Sequence, residues 1–219
     1  MNRQIKWMIK ERGVQYFYHF TPFVNLPNIL KFGIISRDSV NQKIEDGEHG
    51  SFMFTDVERL EGRTDCICLS VSFPNYKMFY KKRKDHPTLP FVLLEIDIEG
   101  GLACPDTSFA FFDTNAATGR SKRNPISDKE ILSHCTLEAA KQMFGEEGRS
   151  QLISPSYPTN PQAEVLFKGM VSPKAIKRCL VGSGEDWITV HDYPGVEKIQ
   201  DKIQISKELF SPRIDYAQW

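Results

Sequence analysis

Pro161-Gln162-Ala163-Glu164-Val165-Leu166-Phe167 decides how this chain is read, because it sets one carboxylate at the mouth of an otherwise apolar strand. An unpaired charge among apolar groups is costly, and a carboxylate held there either gains a partner or shifts its pKa. A loop carrying Pro155, Tyr157, Pro158 and Pro161 leads into this strand, so Glu164 stands where a loop meets a sheet. The competing reading is a strand glutamate facing water, since successive strand residues point to opposite faces. Alternation alone favours that reading, and other segments must decide.

Working outward, Asp128 to Met143 precedes the proline-rich loop with apolar residues at helical spacing, a serine cap at Ser127 and a stop at Gly145. After Phe167, Ser172-Pro173 opens a short helix through Lys177, and Cys179-Leu180-Val181 gives a strand. Trp187 to His191 and Lys202 to Ile205 are expected as edge strands. Towards the N-terminus, Phe91 to Ile98 and Ile67 to Phe73 are strands, the latter broken by Pro74-Asn75 before a basic, aromatic helical turn from Tyr76 to Tyr80. Val14 to Phe20 is an aromatic, β-branched strand stopped by Pro22, and Asn25 opens a helix that presents Leu26, Ile29 and Leu30 and ends at Gly33. Ile5 to Glu11 is a short helix. Ser36 to Thr64 has no sustained period and reads as a long surface excursion of the kind often tied to function. Asp106 to Asn124, with Phe109, Phe111 and Phe112, reads as loop and short helix. The fold class is α+β with a mixed, mainly antiparallel sheet, in one domain over 1–219 with a peripheral tail at 210–219.

At 219 residues and 40% hydrophobic content the chain can bury one good core. No apolar run is long enough for a membrane helix and the start lacks the apolar core of a secretion signal, so no membrane partner and a cytoplasmic location are expected. Five scattered cysteines (Cys66, Cys68, Cys104, Cys135 and Cys179) in such a chain are expected as reduced thiols. Cys66 and Cys68 share a strand face but lack a second ligand pair at finger-like spacing, so core packing accounts for them and no metal is expected. Zero net charge argues against binding nucleic acid by broad electrostatic attraction. Local basic runs remain, at Lys77 and Lys81 to Lys84 around Phe79 and Tyr80, and at Arg120, Lys122 and Arg123.

Four segments occur in order: Tyr18-His19-Phe20-Thr21; Asn25-Leu26-Pro27-Asn28-Ile29-Leu30 with Gly33; Phe73-Pro74-Asn75-Tyr76-Lys77-Met78-Phe79-Tyr80; and Pro161-Gln162-Ala163-Glu164-Val165-Leu166. Together, over roughly residues 14 to 182, the chain resembles the DarT family of toxins, which are nucleic-acid ADP-ribosyltransferases. The resemblance implies an ADP-ribosyltransferase-like fold, with a split, bent, mainly antiparallel sheet flanked by helices and holding NAD as substrate. It implies Glu164 as the catalytic glutamate and an essential arginine, which is Arg59 or Arg63. The implied cofactor-binding set is His19, Phe20, Thr21, Asn25, Gly33, Ser70 and Tyr80, with Tyr80 against the nicotinamide ring. Arg120, Lys122, Arg123 and Tyr157 are the implied nucleic-acid contacts.

The implied acceptor is a base in single-stranded DNA, because a base inside a duplex is out of reach without flipping. Leu69 to Tyr76 and Tyr157 to Gln162 resemble the guanine-modifying branch more than the thymidine-modifying one. The implied partner is an antitoxin that removes ADP-ribose from DNA or masks the toxin. An ADP-ribosyltransferase acting on RNA or protein, and a non-catalytic nucleic-acid-binding domain built on the face around Tyr80, are the alternatives.

Overall fold

A computed structural model describes residues 1–48, 52–99, 108–191, 193 and 196–218. Seven strands, β1 (Tyr16–Pro22), β2 (Ile67–Val71), β3 (Phe91–Asp97), β4 (Ser108–Phe112), β5 (Glu164–Lys168), β6 (Ile176–Val181) and β7 (Ile203–Ile205), form one sheet. Their order is β4-β5-β2-β1-β3-β6-β7. Every pairing is antiparallel except that of β6 with β7. β1 pairs with β3 along its whole length, from Tyr16 opposite Asp97 to Pro22 opposite Phe91. Its other edge meets β2 at only two positions, Phe17 opposite Val71 and Tyr18 opposite Ser70. The sheet therefore opens between β1 and β2 beyond Tyr18, and that opening positions the site.

Among the described residues seven α-helices flank the sheet: α1 (Arg3–Glu11), α2 (Leu26–Phe32), α3 (Arg37–Glu45), α4 (Tyr76–Asp85), α5 (Asp128–His134), α6 (Leu137–Gln142) and α7 (Gly184–His191). None among the described residues is long and apolar enough to cross a membrane. The main core gathers Phe17, Phe23, Leu26, Leu69, Val92, Leu94, Phe111, Val165 and Phe167. A smaller cluster of Phe79, Phe91, Leu93, Leu180 and Phe210 lies under α4. Cys66 and Cys179 are buried free thiols, while Cys104 lies outside the described residues. Burial raises the Cys179 thiol to about 12, which keeps it neutral and unreactive.

Five expectations are corrected. The excursion from Ser36 contains α3: the Ser36 side chain accepts from Ser39 N as a cap, and Val40 is buried. Phe109 to Phe112 is strand β4, not loop and helix, because it pairs residue for residue with β5 and all four of its side chains are buried. A run buried on both faces has no alternation to betray it. The helix over 128–143 is two, because the Thr136 side chain accepts from Ala139 N and starts α6 afresh. Trp187 to His191 belongs to a helix, begun by Ser183 Oγ accepting from Asp186 N at 3.1 Å.

The fifth concerns 210–219, expected as a peripheral tail. Phe210 joins the cluster under α4, and the Arg213 side chain is 1% exposed. Arg213 pairs with Asp215 at 2.6 Å and donates to the Pro158 and Thr159 carbonyls at 2.7 and 2.8 Å. From the other side Arg149 donates to the Tyr157 carbonyl at 2.9 Å. The two arginines satisfy backbone carbonyls that have no ladder partners, and so fix the proline-rich loop that delivers Glu164.

Candidate active site

A cleft with about 1150 Å³ of space, open to solvent, runs along the opening between β1 and β2. Glu164, the first residue of β5, lines it beside Cys68 and Ser70 of β2 and across from His19, Phe20 and Thr21 of β1. Glu164 Oε2 accepts a hydrogen bond from Ala116 N at 3.1 Å. Burial pushes the carboxyl up to about 7; the Ala116 bond opposes that rise, Glu61 adds to it, and Arg59 opposes it. Glu164 thus faces the cleft rather than bulk water, with its charge poised near neutrality.

His19 Nδ1 lies 3.0 Å from the Cys68 carbonyl. A carbonyl only accepts, so Nδ1 carries the proton and Nε2 presents a lone pair. Burial lowers the imidazole pKa, against the pull of that carbonyl, and Arg59 lowers it further, so the ring is neutral. Cys68 stands between the two polar groups: its carbonyl accepts from His19 Nδ1, and its side chain lines the cleft with Glu164. Core packing therefore understated Cys68, which forms cleft wall.

The two candidate arginines separate. Arg59 lines the cleft, ion-pairs with Glu61 and donates to the carbonyls of Arg63 at 2.6 Å and Cys66 at 3.3 Å. Burial works against its charge, but Cys68, Glu61 and Glu164 outweigh burial and raise its pKa. Arg63 is held away by Asp65 at 2.7 Å and by Asp128, at the start of α5, at 2.6 Å. The loop between them docks closely: Ile126 N donates to the Glu61 carbonyl at 2.9 Å, and a Cβ on Gly62 would meet Pro125 Cβ at 2.3 Å. With φ at +72°, only glycine fits there without strain.

Arg37 was missed in the sequence, because Ser36 to Thr64 carries no obvious period; Ser36 followed by Val40 and Ile44 was the available helix signal. It lines the cleft, packs over the Phe54 ring at 4.7 Å and donates to the Val57 carbonyl at 3.0 Å and to the Asp56 carbonyl. Its Nε is buried without a partner. Burial lowers its pKa, Arg59 lowers it further, and an anion would relieve both. Lys82 of α4 also lines the cleft, donating to the Thr55 carbonyl at 2.9 Å and pairing with Asp56.

Other expected residues divide. Phe20, Thr21, Gly33 and Ser70 line the cleft. A Cβ on Gly33 would meet the Val171 carbonyl at 2.3 Å, so the wall closes there only on glycine. Asn25 does not line it: its amide donates to Thr21 Oγ1 and the Met53 carbonyl, both at 2.9 Å, and accepts from Met53 N at 2.8 Å. It ties the 52–56 wall to β1. Tyr80 is also outside, 48% exposed on the face of α4 opposite Met78 and Lys82. At 100° per residue, a helix that turns Met78 and Lys82 inward turns Tyr80 outward.

Arg120 is ion-paired with Glu130, and Lys122 with Glu58 at 3.5 Å, while Arg123 is exposed. From that segment it is Asn115 and Ala117 that reach the cleft. Tyr157 packs on Phe73 with ring centroids 5.5 Å apart. Among the described residues no group of three or more His, Cys, Asp or Glu side chains could hold a metal ion.

A sequence model of the DarT family, described as ssDNA thymidine ADP-ribosyltransferase, matches residues 18–211. The fold is similar to that of Thermus sp. 2.9 DarT in complex with ADP-ribosylated ssDNA, at TM-score 0.58 and 16% identity, covering 91% of this chain and 97% of that one. Thermus sp. 2.9 DarT in complex with NAD+ gives 0.51 at 14% identity, over 90% and 98% of the two chains. Thermosipho africanus DarTG in complex with ADP-ribose gives 0.53 at 16% identity, over 90% of this chain and 51% of that one, so this chain spans about half its length. At these identities the likeness is one of fold. No curated protein matches the chain in sequence.

Proposed function

The chain belongs to the DarT family of single-stranded-DNA ADP-ribosyltransferases, and on that premise we propose that it transfers ADP-ribose from NAD⁺ to a base of single-stranded DNA through Glu164, His19, Arg59 and Arg37. The observation that carries this assignment is that Glu164, His19 and Arg59 line one cleft, with the Glu164 carboxyl raised to about 7.

Breaking the bond between nicotinamide and ribose leaves an oxocarbenium-like carbon, the kind of centre that carboxylates stabilise in glycosidases. Ionised Glu164 accepts from a hydroxyl of that ribose and faces the developing positive charge, in a site dry enough for the interaction to be strong. His19 Nε2 accepts from a second ribose hydroxyl. Arg37 and Arg59 hold the diphosphate, which gives the orphaned Arg37 Nε an acceptor. Nicotinamide leaves as a neutral molecule, the base nitrogen bonds to the ribose carbon, and Glu164 takes the proton that the nitrogen loses.

For the acceptor base we propose guanine, in place of the thymidine in the family's description. The support is the sequence of 69–76 and 157–162, two segments that meet where Phe73 packs on Tyr157. We also propose a cytoplasmic toxin paired with an antitoxin that strips ADP-ribose from DNA or masks the toxin. Incubation with NAD⁺ and oligonucleotides rich in each base, followed by digestion and mass spectrometry, is expected to find the ADP-ribose mass on deoxyguanosine. Mass on thymidine would overturn the guanine assignment, mass on an RNA version alone would overturn DNA as acceptor, and mass on neither would overturn the transfer itself. Unimpaired growth of cells expressing the wild-type chain without its partner would exclude the toxin role.

A further inference from the structure

Helix α4 sends its side chains three ways. Met78 and Lys82 face the cleft. Phe79 and Arg83 face the cluster beneath, Phe79 against Phe91 and Phe210 and Arg83 donating to the Phe210 carbonyl. The third face carries Lys77, Tyr80, Lys81 and Lys84 outward. Tyr80 stacks on Tyr76 at 5.8 Å with the planes 26° apart. Tyr216, from the fastened C-terminal segment and 38% exposed, sits edge-on to Tyr76 at 5.6 Å, with Lys77 Nζ 6.0 Å from its ring. At the other end of the same stretch Phe73 carries Tyr157, which Arg213 backs at 5.9 Å. An aromatic band in two groups thus flanks residues 73–80, Phe73 with Tyr157 beside the loop before Glu164 and Tyr76 with Tyr80 and Tyr216 at α4.

We propose that this band is a track for the DNA nucleotides flanking the acceptor base, with bases stacked on Tyr216 and Tyr80 and phosphates paired with Lys77, Lys81 and Lys84. The inference rests on single-stranded DNA being the acceptor. Exposed aromatic rings interleaved with cations suit single strands, whose every base offers a π-face and whose every linkage offers a negative charge. A protein partner fits less well, because interface cores are depleted in lysine. Lys81 pairs with Asp85 at 2.6 Å, but both are exposed, and such a pair yields readily to a phosphate. The buried Arg213–Asp215 pair and its bonds to the Pro158 and Thr159 carbonyls keep Tyr216 and Tyr157 in register.

Length dependence tests the track. Acceptors of about four and about twelve nucleotides carrying the same target base are compared in wild type, Tyr80→Ala and Tyr216→Ala. The longer acceptor is expected to have the lower KM in wild type, and each substitution to raise that KM roughly tenfold while leaving the short acceptor unchanged. Replacing Lys77, Lys81 and Lys84 by alanine is expected to flatten the salt dependence for the long acceptor alone. Equal KM for both lengths in wild type, or equal losses on both lengths in the variants, would overturn the track. Absence of transfer to either length by wild type would instead count against DNA as acceptor. Anisotropy of a fluorescent oligonucleotide of about twelve nucleotides, read without NAD⁺, then decides the track separately: unchanged binding by Tyr80→Ala overturns it.

Discussion

Glu164→Gln is expected to lower the kcat of ADP-ribose transfer by about three orders of magnitude and, above pH 7, to raise the melting temperature. The two effects have one cause. The amide side chain keeps the volume and the bond from Ala116 N at the start of β5, so the fold persists, but it brings no charge to the oxocarbenium-like carbon and cannot take the acceptor's proton. Stability moves the other way because the wild-type carboxyl rises from 4.5 to about 7 on folding, first through burial. Between those values the folded chain holds a proton that the unfolded chain has released, so wild-type stability is full below about pH 4.5 and declines as pH rises through 7. An amide does not titrate, and the variant has no such decline. It should match wild type near pH 4 and exceed it by at most about 3 kcal/mol at pH 8, read from denaturant titrations. The same titration sets activity: wild-type kcat/KM for NAD⁺ should climb through about pH 7 and level off above it. A variant that keeps transfer, or a stability difference independent of pH, would remove Glu164 from the chemistry.

The strands that carry this site were legible because their sequences are locally consistent: β1 is aromatic and ends at a proline, and β5 is a short, continuous apolar run after its glutamate. Gly33 was legible for a similar reason, its φ of +84° being required where the chain leaves α2 and passes the Val171 carbonyl. What failed was phase and partnership. The basic, aromatic helix from Tyr76 was correctly expected, yet nothing local says which of its faces meets the cleft, and an error of half a turn exchanges Tyr80 for Met78 and Lys82. Asn25 was expected as a helix cap and ligand, but an amide with one acceptor and two donor sites also suits a loop wall, and Met53 lies 28 residues away in sequence. Phe109 to Phe112 lacked alternation because both of its faces are covered. Arg59 and Arg63 look alike in sequence; their separation depends on Asp128, 65 residues from Arg63.

That separation yields the second large effect. Arg59→Ala alone should disable the protein twice over. It removes a cation from the cleft, and it strands Glu61, whose side chain is only 5% exposed, without its partner. Breaking a buried pair from one side costs about 3 to 5 kcal/mol, so lost activity in that variant would not distinguish a ligand contact from a collapsed loop. Replacing the pair together, Arg59→Met with Glu61→Leu, removes both charges at similar volume, a change that is often neutral or stabilising. The double variant should therefore melt near wild type while kcat/KM for NAD⁺ stays at least about a hundredfold down, the range for losing a charge-assisted contact made in the transition state. Arg63→Met should behave in the opposite way. Its partners are exposed enough to be hydrated, Asp128 at 89% above all, so stability falls only slightly while the KM for NAD⁺ holds. If the double variant transfers ADP-ribose normally, Arg59 is a loop brace and the diphosphate is left to Arg37.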